Sequence, residues 1–401
     1  MSLGKTKLRT GIFWLLLLLV PFLVLELTLD FLCLVSPRIA SLLSLDGATV
    51  IRDEKLGIRP NPMFPEHDAK GWRNKSVPGS ATIIAMGDSQ TYGTNVRSEE
   101  AWPKQLGDMV GIETYNIACG GYCPIHTLLL LDEALRLQPK LVIEAFYTGN
   151  DLFECYTTVY SESRLPELRR KDGEIPLTLS EKEESDRLVR EALRVTKPPW
   201  LRTKDFLIEH VKLVAALRLY KSFLPTVYSV NPSWESVKAY ANRAPDSLIF
   251  EQGPLRTVFT VKSRLLAENL GDRRVREGLR LALESLRRVN ERLKQQNVCF
   301  LLLSIPTKEY VFEEFVCQQG GNVSHDYDRL VKNERTILET VAEFSEANGI
   351  HFVSALPVLR ECLSNGDQPY RLDDDGHPNP AGHRAIAKAV QSKIRQLGLA
   401  K

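Results

Sequence analysis

The feature that most constrains the fold of this chain is a series of short, almost uniformly apolar segments, each ending in a polar or glycine-rich turn. Helical patterns separate these segments along the chain. Near-continuous apolar segments of this length are typical of parallel strands whose two faces are both covered by helices. We therefore predict an α/β fold with a five-stranded parallel sheet, built from Thr82–Met86, Ile112–Ala118, Lys140–Tyr147, Val298–Ile305 and Ile350–Ser354.

The first 35 residues have the composition of a membrane-spanning helix. Lys5, Lys7 and Arg9 precede Gly11–Leu25, which carries no charge, and apolar character persists to Val35. A transmembrane helix needs about 20 predominantly apolar residues, and flanking cations favour the cytoplasmic side. The pattern therefore predicts a cytoplasmic stub followed by a single transmembrane segment.

Residues 1–36 are accordingly assigned to the stub and the membrane anchor, and the rest of the chain is expected outside the cytoplasm, in a bacterial periplasm or at the cell exterior. A cleaved signal peptide is the alternative. Because Pro37-Arg38-Ile39-Ala40 is a poor cleavage site, we favour an uncleaved anchor.

Composition changes three more times along the chain. Residues 37–80 are dense in Pro, Gly, Asn and Arg and are expected to be a polar connector with little regular pattern. Residues 81–401 form the predicted α/β domain, interrupted by an insertion at 156–296. In the insertion we expect a hairpin over Leu165–Leu179 around Lys171-Asp172-Gly173, followed by charged helices at 181–195, 205–224, 233–242 and 255–296.

Charge and cysteine usage exclude some classes of function. With 52 Lys and Arg against 50 Asp and Glu, and without a dense basic stripe, the chain is not expected to bind nucleic acid. Beyond Cys33 in the anchor there are six cysteines, which permit disulfides in an exported domain but do not define a pairing. Cys119, Cys123 and His126 are close together but lack a fourth ligand nearby, so neither a metal nor an organic cofactor is predicted.

Residues with side chains suited to acyl transfer follow the predicted strands. In parallel sheets, binding and catalytic residues usually lie at the carboxyl ends of the strands. Ser89 follows the first strand, and a serine nucleophile needs a base, an acid that orients the base, and donors for an oxyanion. His377 follows three aspartates, which provides the acid and base. Gly121 and Asn150 follow two other strands, where a free backbone N–H and a neutral side-chain NH₂ would serve as donors.

At these positions the sequence resembles the SGNH hydrolases, also called the GDSL-type esterase and lipase superfamily. Four segments match its motif blocks in order. They are Gly87-Asp88-Ser89, Tyr115–Tyr122 with Gly121, Thr148-Gly149-Asn150-Asp151, and Asp374-Asp375-Gly376-His377 followed by Pro-Asn-x-x-Gly. Gln90 replaces the leucine of the familiar Gly-Asp-Ser-Leu motif. This difference makes the interpretation of the chain as a lipase less favoured. The resemblance implies a flavodoxin-like, three-layer αβα sandwich around the five-stranded sheet.

The resemblance also implies roles for these residues. Ser89 is the nucleophile, His377 is the general base, and Ser89, Gly121 and Asn150 form the oxyanion hole. The family's acid lies three residues before the histidine, which is Asp374. Some membrane-anchored relatives that act on polysaccharides use a spacing of two, which would make the acid Asp375. Both positions are aspartate here, and we favour Asp374.

The implied activity is that of an extracytoplasmic serine esterase acting on O-acetyl or other short acyl groups, with acetylated glycans as candidate substrates. A polysaccharide O-acetyltransferase with the same triad is one alternative, because the first half of its reaction is identical. A lipid-active enzyme would instead need an apolar trench beside Ser89. The last alternative is a non-catalytic glycan-binding or assembly factor on the same fold. The insertion enters just after Asn150, where it would shape the substrate cleft.

Overall fold

The structure, a computed structural model, describes residues 2–43, 49–170, 175–192, 206–207, 210–222, 232–244, 246–318 and 324–399. The strands in this part of the chain are β1 (Val50–Asp53), β2 (Gly57–Pro60), β3 (Ile83–Gly87), β4 (Thr114–Ala118), β5 (Leu141–Tyr147), β6 (Ser247–Gln252), β7 (Leu255–Thr260), β8 (Cys299–Ile305) and β9 (His351–Ser354).

The helices of the described residues fall into three groups along the chain. Those before the insertion are α1 (Ser2–Val35), α2 (Pro37–Leu42), α3 (Ser89–Tyr92), α4 (Trp102–Val110), α5 (Pro124–Leu135) and α6 (Asp151–Tyr156). Those of the insertion are α7 (Leu179–Ala192), α8 (Lys212–Ser222), α9 (Trp234–Ala241), α10 (Val261–Glu268) and α11 (Arg273–Gln295). The last group is α12 (Lys308–Val311), α13 (Glu313–Gln318), α14 (His325–Ala347), α15 (Leu356–Ser364) and α16 (Pro380–Gln396).

The central sheet has five strands in the order β4-β3-β5-β8-β9, and every neighbouring pair is parallel. Numbered by their sequence order within this sheet, the strands run 2-1-3-4-5, which is the flavodoxin-like order. The predicted α/β fold and its five strands are therefore confirmed. Because all five strands are parallel, their carboxyl ends meet at one edge, and the turns that follow β3, β4 and β5 lie together there.

Alternation along the strands divides the core into two layers. Ile84, Met86 and Val142 point to one face and pack against α5, α6 and α11. Ile83 and Ile143 point to the opposite face, against α4, α14 and α16. Successive side chains of a strand point to opposite faces, so uniformly apolar strands are needed to bury both. The result is the three-layer αβα sandwich.

The insertion contains strands that were not predicted from the sequence. Residues 255–260 were expected to be helical, but they form β7, which pairs antiparallel with β6 across a turn at Gly253. The segment from Ser247 to Thr260 is rich in β-branched and aromatic residues on both sides of a Gly-Pro turn, which is a hairpin signal. The hairpin expected around Lys171–Gly173 falls at 171–174, outside the described residues, and the preceding residues form a 3₁₀ turn at Pro166–Leu168.

The segment expected to be an irregular connector packs closely on the domain. β1 and β2 form a hairpin, and the buried Trp72 donates a hydrogen bond to Glu133 of α5 at 2.8 Å. Asn74 exchanges two hydrogen bonds of 2.9 Å with the backbone of Asn116 on β4. Its side chain thereby satisfies backbone groups of an edge strand that would otherwise be open to pairing.

The N-terminal helix α1 contains a 20-residue stretch, Leu16–Val35, with a mean hydropathy of 2.3 and no buried part. This stretch is long and apolar enough to cross a membrane, a property that anchors and signal sequences share. Glu26 lies inside it, and its carboxylate accepts hydrogen bonds from the backbone N–H groups of Lys212 and Leu213 at the start of α8.

A substitution at Gly278 on α11 provides a test of how closely the insertion packs against the core. A Cβ at this position would lie 1.8 Å from the Leu152 carbonyl oxygen on α6. We expect Gly278→Ala to lower the free energy of unfolding by about 1–3 kcal/mol despite the better helix propensity of alanine. Gly79→Ala, where a Cβ meets nothing within 4 Å, should change it by less than about 0.5 kcal/mol. Equal urea midpoints for the two variants would contradict the close α6–α11 contact.

Candidate active site

Ser89 stands at a sharp turn between the central strand β3 and the short helix α3. Gly87 ends the strand at φ +143°, and a Cβ there would lie 2.6 Å from Thr91 Oγ1 and 2.9 Å from the Ala145 carbonyl oxygen. Only glycine fits this turn without displacing β5. Asp88 then caps α3 by accepting a hydrogen bond of 2.9 Å from the Gln90 N–H. The turn thereby presents the partly exposed Ser89 at the carboxyl edge of the sheet.

A continuous chain of hydrogen bonds links Ser89, His377 and Asp375. The Ser89 Oγ lies 2.8 Å from His377 Nε2, and His377 Nδ1 lies 2.7 Å from Asp375 Oδ1. An ionised carboxylate can only accept, so Nδ1 carries the proton and Nε2 is free to accept from the serine hydroxyl. This is the arrangement of a nucleophile, its base and the group that orients the base.

The expected preference for Asp374 is corrected by this geometry. Asp375 Oδ1 accepts a hydrogen bond of 2.8 Å from the His377 backbone N–H and a second one from the ring Nδ1–H. Asp375 lies two positions before the histidine. The Asp374 side chain instead lines a cavity of about 170 Å³ together with Tyr240 and Val258. Burial raises the pKa of Asp374. Of the two aspartates left open by the sequence, Asp375 is the partner of His377.

Asp375 is held ionised by its neighbours. Burial by itself raises the pKa of Asp375, but hydrogen bonds from the ring and backbone of His377, together with the charge of Lys308, outweigh burial and lower this pKa well below its ordinary value. Its second oxygen accepts a hydrogen bond of 2.5 Å from Asn95 Nδ2. The carboxylate therefore contributes its orienting charge throughout the neutral pH range.

Two residues that hold the loop of Asp375 were not predicted from the sequence. Asn95 lies at φ +66° in the loop after α3, and it bridges that loop to the loop of Asp375. Lys308 is fully buried at the start of α12, where its Nζ donates to the carbonyl oxygens of Asp373 and Asp375 at 2.9 Å each. A loop asparagine or a lysine carries no sequence signal for such contacts, because they exist only between segments distant along the chain.

The expected oxyanion donors surround Ser89. Gly121 has φ +80° in a turn closed by a hydrogen bond of 3.1 Å from the Tyr122 N–H to the Cys119 carbonyl oxygen. A Cβ on the adjacent Gly120 would lie 3.7 Å from the Ser89 Cβ, so this turn is next to the serine. In the described part of the chain, the backbone N–H groups of Ser89 and Gly121 have no hydrogen-bond partner. Both are therefore free to donate to a bound oxygen.

Asn150 precedes α6 on the other side of Ser89. Its side-chain amide lies near the buried Asp88, next to the serine, and helps to lower the pKa of that carboxyl. A side-chain NH₂ group carries two N–H donors, from which an oxygen bound beside Ser89 could accept. Burial raises the pKa of Asp88, and the hydrogen bond from the Gln90 N–H helps to limit this rise to about 6. The structure thus brings Ser89, Gly121, Asn150, Asp375 and His377 to one place and leaves out Asp374.

The candidate metal ligands do not form a coordination site. Cys123 Sγ lies 3.5 Å from His126 Nδ1, and both side chains are buried. Among the residues that the structure describes, no group of three or more His, Cys, Asp or Glu side chains is arranged to hold a metal ion.

A comparison with solved structures finds similar chains that are named as an acetylxylan esterase, a phospholipase and a GDSL-like lipase. An acetylxylan esterase from Geobacillus stearothermophilus is 11% identical, with a TM-score of 0.36 over 79% of this chain and 95% of its own. A phospholipase A1 from Streptomyces albidoflavus is 10% identical, with a TM-score of 0.38 over 79% and 99%. A GDSL-like lipase from Bacteroides thetaiotaomicron is 11% identical, with a TM-score of 0.32 over 79% and 88%. No family model and no curated protein matches the chain.

The neighbouring aspartates provide a matched pair of variants. We expect Asp375→Asn to slow the labelling of Ser89 by a fluorophosphonate by about 10³–10⁴, because the amide no longer holds the reactive tautomer of His377. Asp374→Asn, the same substitution one residue away, should keep the labelling rate within about threefold. The rates are read from labelling time courses on the full-length chain. The opposite ranking would return the orienting role to Asp374.

Proposed function

We propose that this protein is a serine hydrolase that cleaves carboxylic esters through an acyl-enzyme on Ser89. The observation that carries this proposal is the hydrogen-bonded chain from Ser89 through His377 to Asp375, with distances of 2.8 and 2.7 Å. The unpartnered N–H groups beside Ser89 support it further, because a nucleophile without oxyanion donors would lack the largest stabilising interaction of acyl transfer.

In the first half of the reaction, Ser89 Oγ attacks the ester carbonyl carbon and its proton moves to His377 Nε2. Asp375 stabilises the resulting imidazolium. The carbonyl oxygen becomes an oxyanion, which accepts hydrogen bonds from the N–H groups of Ser89 and Gly121 and from the Asn150 amide. The bond between the carbonyl carbon and the alcohol oxygen then breaks. His377 gives its proton to the departing alcohol, and the acyl group remains on Ser89.

In the second half, water attacks the acyl-enzyme while His377 accepts one of its protons. The bond to Ser89 Oγ breaks, the serine regains a proton from His377, and a carboxylic acid leaves. A sugar hydroxyl in place of water would make the same acyl-enzyme the donor in an O-acyl transfer. None of these steps requires a metal ion or an organic cofactor.

We also propose that α1 is an uncleaved anchor and that the hydrolase domain lies outside the cytoplasm. The unburied apolar stretch Leu16–Val35 supports the anchor. Three cations before that stretch support a cytoplasmic N-terminus. The substrate would then be an ester exposed at the outer face of the membrane, and an acylated glycan is one such substrate.

The activity is tested with the full-length chain in lipid nanodiscs. We expect turnover of p-nitrophenyl acetate, with release of acetate when water is the only acceptor. Ser89→Ala should lower kcat/KM by at least about 10³, whereas Ser80→Ala at an exposed position should leave it unchanged. Product analysis with an oligosaccharide acceptor separates hydrolysis from transfer. Wild-type protein that neither cleaves esters nor reacts with a fluorophosphonate would refute the proposal.

Topology can be read from Cys317, which is exposed. On spheroplasts, a membrane-impermeant maleimide should label the protein without lysis, because residues beyond the anchor face outward. Cys317→Ser should remove most of this labelling, and a cytosolic thiol protein serves as the permeability control. Labelling that appears only after lysis would place the domain in the cytoplasm.

A further inference from the structure

A cavity of about 330 Å³ opens beside the third oxyanion donor. Gly149 and Asn150 line it at the active site, and the rest of its wall comes from α6 and from three helices of the insertion. The apolar part of this wall comprises Phe153, Val189, Leu266 and Ala267. The insertion therefore adds a compartment directly to the catalytic edge of the sheet.

Three polar side chains of the wall, those of Ser185, Ser263 and Arg274, are already paired within the protein. Ser263 Oγ donates to Asp246 at 2.6 Å. Arg274 Nη2 donates to Ser185 at 2.7 Å and to Asp272 at 2.7 Å, and its guanidinium lies 5.6 Å from the centroid of the Phe153 ring.

Glu154 is the remaining ionisable group of the wall. Its carboxylate accepts a long hydrogen bond of 3.5 Å from Thr157 Oγ1. Burial raises the pKa of Glu154 to about 7, which favours its neutral form. The wall thus offers few free hydrogen-bonding groups to a ligand, while its apolar side chains remain open to the cavity.

We propose that this cavity binds the acyl chain of the ester and that the preferred acyl group is a chain of medium length rather than acetyl. The inference rests on the proposed ester hydrolysis at Ser89. About 330 Å³ is room for roughly ten groups of the size of water or methylene. An acetyl group would fill only a small part of that space and would leave the apolar wall exposed to water. A sugar ring would fit by volume, but Ser185, Ser263 and Arg274 of the wall are already hydrogen-bonded within the protein and would offer it few partners.

The position of the cavity assigns it to the acyl side of the ester. His377 must protonate the alcohol oxygen as it leaves, so the alcohol lies beside His377 and its loop. The cavity contains no residue of the His377 loop and instead begins at Gly149 and Asn150. A chain attached to the carbonyl carbon can extend past Asn150 into it while the alcohol departs on the opposite side.

The test measures kcat/KM for p-nitrophenyl esters from acetate to decanoate, with the full-length chain in nanodiscs. We expect kcat/KM to rise by about two- to fourfold per methylene up to hexanoate or octanoate, because each added methylene is removed from water. A decline from acetate onward would overturn the proposal.

Two variants that fill the cavity from different helices sharpen the test. Ala267→Phe and Val189→Trp should each lower kcat/KM for octanoate by at least tenfold while acetate turnover stays within threefold. Retained acetate turnover also shows that the variants are folded, and Val189 is 37% exposed, so its replacement disturbs the core least. Ser236→Phe, on the smaller cavity beside Asp374, is the matched control and should change neither rate.

The outcomes distinguish the two proposals. Equal losses for acetate and octanoate in both filled variants would refute the acyl pocket and leave ester hydrolysis intact. The absence of any Ser89-dependent ester turnover in the wild type would refute the proposed function, and the acyl pocket with it.

Discussion

The geometry of the candidate active site depends on the hydrogen bond between Ser89 Oγ and His377 Nε2, whose residues are 288 positions apart in the chain. A misplacement of about 1 Å at such a contact can cost roughly 10² in rate, so both loops must be held firmly. On the serine side, the strand β3 and the cap by Asp88 fix the turn. On the histidine side, Asn379 caps α16 and also donates to the Gln368 and Tyr370 carbonyl oxygens.

A buried charge holds the loop on the histidine side in place. The Lys308 ammonium is fully buried and holds two carbonyl oxygens of the aspartate loop. Burial lowers the pKa of Lys308 to about 8, against an ordinary value of 10.5. The folded state therefore carries a penalty at and below pH of about 8, and this penalty diminishes as the pH rises toward 10.5. A buried cation that costs stability is retained here at the loop that orients His377, which is where a fixed backbone is needed.

The sequence predicted the sheet well because uniformly apolar strands reflect burial on both faces, a local property. It failed at β7, where charged neighbours in the insertion obscured the hairpin signal between Ser247 and Thr260. The sequence pattern also predicted that residues 37–80 form a connector with little regular structure. The hydrogen bonds of Trp72 and Asn74 that attach this segment to α5 and β4 are long-range contacts, which composition does not record. Gln90, the departure from the family motif, directly follows Ser89 in α3 and is buried, with 1% exposure.

The sequence by itself determined the elements that carry Ser89, Gly121, Asn150 and His377, because each follows a recognisable strand or precedes a helix with a clear cap. The choice between Asp374 and Asp375 was decided only by the tertiary structure. The two residues are chemically identical neighbours, and the path of the loop over Lys308 and toward Asn95 sets which carboxylate reaches His377. The cavity beside Asn150 was likewise decided by packing, since its walls come from helices far apart in sequence that meet only in the folded chain.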